Sequence, residues 1–234
     1  RRIGSVGGHA MTSATEVETG VWEIGIGSDV WEATDAYDRG VDGLTVDLDA
    51  SETASPHYTI VSNTTNSLRI QTLDDLSGVV GNELIGVHQF ESLTFSNGGS
   101  LDIGDDRLLM RNDASLTVDG SASLYSGETV LTGHVNLDGE TLRIHGGDFL
   151  LGGDLVFGNG AQLVNYTPFS ISGNVTFSGS EWVSSAPVSV SGDMNFSSSV
   201  LTTFDADVDG VSLHVTGSLV VDETSSIDVS GKGY

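Results

Sequence analysis

Cysteine is absent from this chain, which removes disulfide staples, thiolate nucleophiles and cysteine-held metals from consideration. Basic residues are almost as scarce: Lys232 is the sole lysine, and Lys and Arg together number 8 against 33 Asp and Glu, a formal charge of −25. Nucleic-acid binding needs a basic stripe to neutralise phosphates, and anionic membranes attract polybasic segments. Charge therefore argues against both partners. No run of 18 apolar residues occurs, so no segment is written to span a bilayer as a helix. Arg1-Arg2 is followed by Ile3-Gly4-Ser5-Val6-Gly7-Gly8, too short and glycine-rich for a signal-peptide core. The chain is expected to be a mature product or a piece of something longer. No stretch of useful length carries the helical period.

What the chain does contain is a repeat. Gly133-His134-Val135-Asn136-Leu137 returns as Gly153-Asp154-Leu155-Val156-Phe157, as Gly173-Asn174-Val175-Thr176-Phe177 and as Gly192-Asp193-Met194-Asn195-Phe196, at spacings of 20, 20 and 19. A fixed period near 20 with short period-2 pieces is the signature of a solenoid, in which one unit cannot bury its own apolar face and stacked neighbours do so together. A second apolar spot follows in each unit (Leu142 and Ile144, Leu163, Trp182, Leu201), then a third (Phe149 and Leu151, Phe169 and Ile171, Val188 and Val190, Leu213 and Val215). Three short strands per coil bounded by Gly, Asn, Asp and Ser predict an all-β parallel β-helix, a β-solenoid of about 20 residues per coil. Phe157, Phe177 and Phe196 share one register and are expected to stack inside it, and Trp182 also falls in a core register. Pro168 and Pro187 each open a third strand, where a missing N–H is tolerated.

Residues 76–234 are read as the regular solenoid. Leu93 and Phe95 restart as Leu116 and Val118, 23 residues on, and Met194 restarts as Leu219, 25 residues on. Residues 1–75 are read as an N-terminal arm and cap or as early irregular coils of the same sheet system. Strands are expected at Val21–Ile26, Leu44–Leu48, Tyr58–Ile60 and Leu68–Ile70, with a turn at Asn63–Asn66. A separate β-sandwich or capping domain is the other reading of this half.

The 25-residue spacing implies an insertion, and it contains Asp205-Ala206-Asp207-Val208-Asp209-Gly210. Asp-x-Asp-x-Asp-Gly is the opening half of a calcium loop, so Asp205, Asp207 and Asp209 are candidate calcium ligands. The twelfth position holds Thr216 instead of the bidentate glutamate, and strand alternation alone would also point these aspartates outward. Asp47, Asp49 and Glu52 form a weaker calcium candidate; Asp102, Asp105 and Asp106 cluster at a turn and rank below it. Calcium is the one cofactor the sequence suggests.

Catalysis finds little support. A glycosidase needs two opposed carboxylates at a set separation, and a chain this acidic offers such pairs by chance. Arg143-Ile144-His145-Gly146 is the single basic-plus-histidine cluster, with His145 expected at a surface turn. The remaining histidines have no metal spacing. Asn63, Asn165, Asn174 and Asn195 head Asn-x-Ser/Thr sequons, the acceptor motif for N-glycosylation.

Gly217-Ser218-Leu219-Val220-Val221-Asp222, followed by Ser225-Ser226-Ile227-Asp228-Val229-Ser230-Gly231, resembles the coils of large secreted bacterial β-solenoids. These include filamentous-haemagglutinin-like adhesins and the passenger regions of giant surface proteins. The resemblance spans roughly residues 90–234 and is one of style, without an invariant motif; it fits an archaeal surface protein as well. It implies a right-handed β-helix, export to the cell surface or beyond, and a mechanical or adhesive role. The glycine-aspartate turns depart from the asparagine-rich ladders common in that group. The expected function is a non-catalytic extracellular rod, a fibre or filament subunit or an adhesin stalk, self-associating end to end or forming part of a longer chain. A carbohydrate-binding or carbohydrate-cleaving β-helix, with surface glycans as partners, is the alternative. A calcium-dependent adhesion module is the third.

Overall fold

Period-2 alternation becomes strand wherever the sequence shows it clearly. The computed structural model describes residues 6–31, 41–52, 56–111, 114–204 and 210–230. Among these no α-helix forms, and one 3-10 turn, Ser77–Val79, interrupts the strands. Among the described residues no helix is long and apolar enough to cross a membrane. The chain divides into two units: the residues up to His88 together with Ile103–Leu108, and Gln89–Asp102 together with the residues from Leu109 onward.

The first unit contains β1 (His9–Glu18), β2 (Val21–Ile26), β3 (Thr45–Asp47), β4 (His57–Asn63), β5 (Ser67–Gln71) and β6 (Glu83–Gln89). They pair antiparallel in the order β1-β2-β5-β4-β3-β6, and β1 also pairs with β6, so the six strands close on themselves. The β1–β6 seam rests on two residue pairs, His9 with Leu84 and Ala10 with Glu83. Inside lie Ile24, Ile60, Leu68, Ile70 and Leu84, none with measurable exposure. In residues 1–75, read as an arm and cap, as irregular coils or as a separate domain, the described strands form hairpins around a core of their own. The links explain the antiparallel pairing. Gly20, at φ 72°, turns β1 into β2, and Thr64 to Asn66 join β4 to β5. Connections this short join only antiparallel neighbours, whereas parallel coils need longer crossovers. No alternation marks residues 1–20, yet β1 is ten residues long; its pairing with β2 supplies what its side chains do not, and Met11 is its one buried residue.

The second unit is the β-solenoid. Face one stacks seven parallel strands: Ser92–Ser96, Ser115–Asp119, Val135–Asp138, Leu155–Gly158, Val175–Ser178, Met194–Ser197 and Leu219–Val221. Face two stacks Ser100–Asp102, Ser121–Ser126, Thr141–Gly146, Gln162–Asn165, Glu181–Ser184, Val200–Thr202 and Ser226–Asp228. Face three runs through Glu128–Leu131, Phe149–Leu151, Phe169–Ile171, Val188–Val190 and Leu213–Val215. Register follows the sequence spacings: Leu93 pairs Leu116 and Met194 pairs Leu219, so the 23- and 25-residue intervals each advance the stack by one coil.

Inward columns form the core. Phe157, Phe177 and Phe196 stack with ring centroids 4.5 and 4.7 Å apart, and Phe149 lies 4.6 Å from Phe169 on face three. Trp182 is fully buried between them, and its indole N–H donates to Asn165. Each proline stands immediately before its face-three strand, where the Pro168 and Pro187 carbonyls accept from Phe149 and Phe169 one coil back. The missing proline N–H costs that ladder nothing it uses there.

Candidate functional site

Four constellations gather chemistry among the described residues, and the most deeply buried lies in the first unit. Asp106, with no exposure, receives four donors. Val6 N–H and His88 Nε2 meet Oδ2 at 2.9 and 3.0 Å, and Gly7 and Gly86 N–H meet Oδ1 at 2.8 and 3.2 Å. A side chain on Gly86 would collide with this carboxylate, so glycine there is a condition of the network. Next along the chain, Arg107 is 1% exposed and donates to Asp47 Oδ2 at 2.8 Å, to the Ala50 carbonyl at 3.0 Å and to the Glu52 carbonyl at 3.3 Å. Asp106, in the bend before the strand Arg107–Met110, and Arg107, its first residue, thus bury a carboxylate and a guanidinium in succession. Buried charges are tolerated when paired and hydrogen-bonded in this way. Their chemistry is positional: the Asp106 carboxylate ties the Val6–Gly7 backbone to β6, and Arg107 ties the Asp47–Glu52 segment.

The second constellation is the repeating glycine-polar turn of the solenoid. His134 Nδ1 accepts from the Asp154 N–H at 2.8 Å, and Asp154 Oδ1 accepts from the Asn174 N–H at 2.7 Å. Asn174 Oδ1 then accepts from the Asp193 N–H at 2.9 Å, and Asp193 Oδ1 from the Ser218 N–H at 2.8 Å. Each polar residue therefore receives the backbone of its counterpart one coil later. The preceding glycines are required by proximity: a Cβ at Gly153, Gly173, Gly192 or Gly217 would strike the carbonyl oxygen of the glycine one coil back.

The third lies on the outer side of face two. Tyr125, His145 and Tyr166 stack with centroids 4.3 Å apart at each step, and Phe204 continues the stack 4.9 Å from Tyr166. His145 sits within the Thr141–Gly146 strand, clamped between two phenol rings, and not at a turn. Desolvation between the rings holds its pKa below the ordinary histidine value, and the Arg143 guanidinium pushes the same way. Beside the stack runs a groove of about 300 Å³ lined by Arg143, Gln162, Val164, Tyr166, Glu181 and Val183, with Thr202, Thr203 and Phe204 at its end. Gln162 donates to Glu181 at 2.6 Å across its floor. The signal was present in the sequence: Tyr125, His145 and Tyr166 recur at 20 and 21 residues, the period of the coil itself.

The fourth is the last described coil. Leu219, Val221 and Ile227 pair in register with Met194, Phe196 and Leu201. They are 44%, 40% and 41% exposed, whereas those partners are 0%, 2% and 0%. Among the described residues nothing covers these side chains in core register.

The calcium candidates are placed as follows. Asp205, Asp207 and Asp209 lie outside the described residues. Asp47 faces Arg107, Asp49 accepts from the Ser51 N–H and hydroxyl, and Glu52 contributes its backbone carbonyl to Arg107. Among the described residues no group of three or more His, Asp or Glu side chains is placed to hold a metal ion. Of the sequons, Asn165 is fully buried, with its amide committed to Trp182 and the Thr167 carbonyl. Asn63 bonds Val41 and Thr64, Asn174 belongs to the turn column, and Asn195 is exposed on face one.

These features define the class: an all-β protein carrying a parallel β-solenoid with regularly stacked turns. Compared with known proteins, the chain matches no family model, no curated protein and no solved structure.

Proposed function

We propose that this chain is a non-catalytic structural protein of the cell exterior, its solenoid serving as a rod in a fibre, filament or adhesin stalk. The observation that carries this is the open coil in core register. Leu219, Val221 and Ile227 present the same inward positions as Met194, Phe196 and Leu201; among the described residues no layer covers them, so the stack accepts a further coil, whether of a longer chain or of a second copy. Beside them, Leu219–Val221 and Ser226–Asp228 are the outermost described strands of their faces, and their backbone N–H and C=O groups point along the stacking direction. Such an edge templates another strand. A coil of a second copy docking there buries the three side chains and extends each ladder by about 4.8 Å. A head-to-tail contact that does not close into a ring generates a filament. Placement outside the cell rests on the likeness of the Gly217–Gly231 coil to secreted solenoids, and the acidic exterior suits a surface kept solvated and self-repelling along its sides.

The test is electron microscopy and sedimentation of the purified chain across a concentration series. Rods that lengthen with concentration, and shorten to single particles in Val221→Asp and Ile227→Asp, are expected. Short particles of one size at every concentration would remove end-to-end assembly.

A further inference from the structure

We propose that the groove on the outer side of face two binds a carboxylate-bearing sugar, such as a uronic acid residue of a glycan. This site is separate from the open coil and does not depend on end-to-end assembly.

The first ground is a cation with no carboxylate partner among the described residues. In a chain of net charge −25, arginines find carboxylates readily: Arg69 holds Glu23 at 2.9 Å and Arg107 holds Asp47 at 2.8 Å. Arg143 pairs with no carboxylate of the described residues, although it is half-buried in the groove wall. A planar guanidinium with five donors matches a carboxylate bidentately.

The second ground is the rest of the lining. Glu181 spends one oxygen on Gln162, which leaves its other oxygen and the Gln162 carbonyl as acceptors for hydroxyl groups. Val183 supplies an apolar patch beside these polar groups, with the buried Val164 next to it in the lining, and Tyr166 adds a ring edge and a hydroxyl. An anion receptor, adjacent hydroxyl acceptors and an apolar patch together suit a pyranose that carries a carboxylate. A volume of about 300 Å³ falls at the lower end of the range for small-ligand pockets, about 300–1,000 Å³, the size of one or two sugar rings. The mutual stacking of Tyr125, His145 and Tyr166 uses their ring faces, so they serve as a rigid wall and the sugar contacts ring edges. Because the contact is one solvent-accessible ion pair, binding weakens with salt.

The experiment is calorimetric titration of the full chain with a glucuronic acid-terminated disaccharide, its glucose-terminated counterpart and sodium acetate, repeated with R143Q and E181Q. Glucuronate binding is expected, with glucose and acetate at least about tenfold weaker. R143Q should lose at least about tenfold in affinity with an unchanged melting curve, and E181Q should lose severalfold. Protein-observed NMR supplies a second readout, in which the Tyr166 ring shifts with glucuronate and not with acetate. Equal binding of glucose and glucuronate, equal binding of acetate, full affinity in R143Q, or no binding at all would each overturn the proposal. Val221→Asp leaves the groove intact, so failure of assembly and failure of binding are read apart.

Discussion

Asp154 and Asn174 occupy the same position in consecutive coils, and the carboxylate of the first accepts the backbone N–H of the second at 2.7 Å. The glycines before them, Gly153 and Gly173, stack so closely that a Cβ on Gly173 would meet the Gly153 carbonyl oxygen. One repeat therefore contains two devices of unequal strength. Asp154→Ala removes one exposed hydrogen bond that water can replace, costing about 0.5–1.5 kcal/mol. Gly173→Ala forces backbone layers apart and should cost more, about 1–3 kcal/mol. Urea unfolding of the two variants orders them; an aspartate variant as damaging as the glycine variant would contradict the packing account.

Phe177 is 1% exposed and lies between Phe157 and Phe196 at 4.5 and 4.7 Å. Cutting it to alanine opens a cavity in the middle of a continuous column, with an expected loss of about 3–5 kcal/mol. Phe177→Leu retains most of the volume and should lose clearly less. Differential scanning calorimetry separates the two, and equal losses would mean the ring stack is incidental.

Arg107 presents a sharper asymmetry. Arg107→Met leaves the Asp47 carboxylate buried without its guanidinium and should destabilise the first unit by about 3–5 kcal/mol. Adding Asp47→Leu removes the stranded charge and should recover part of that loss. A double-mutant cycle measures the coupling; additive losses would show that the pair contributes nothing specific.

His145 makes stability depend on pH. Its folded pKa is held below the ordinary value by desolvation between the rings and then by Arg143. The unfolded chain therefore takes up the proton first, near pH ~6.5. Above that value the group costs the folded state nothing; as pH falls below it, the unfolded state gains. The solenoid should melt at a lower temperature at about pH 5.5 than at about pH 7.5, and His145→Phe should flatten that part of the profile while keeping the stack. An identical slope in the variant would assign the effect elsewhere.

The solenoid was legible because each coil repeats constraints that one residue type meets alone. The glycine column admits no Cβ, the phenylalanine column needs one shape at one height, and Pro168 and Pro187 sit where the ladder uses only a carbonyl. Even the irregular intervals ending at Leu116 and Leu219 were readable, since alternation resumes in register after any corner. His145 was misplaced because its sequence neighbours, Gly146 and Gly147, look like a turn, whereas its true neighbours are Tyr125 and Tyr166, one coil away on either side.

The amino-acid sequence alone determined the solenoid's strands, their period and the inward columns, because period-2 alternation and a coil-length repeat are local properties carried by its coils. Only the tertiary structure decided that the first unit closes as an antiparallel ring, and that Asp106 gathers Val6, Gly7, Gly86 and His88. It also decided that Asp47 faces Arg107, and that Arg143 opens onto a groove with Gln162 and Glu181. Those relationships join residues from 18 to 100 positions apart in the first unit, each occurring once. A contact that occurs once leaves no period in the chain, and burial and pairing across such distances are settled only when the strands have chosen their neighbours.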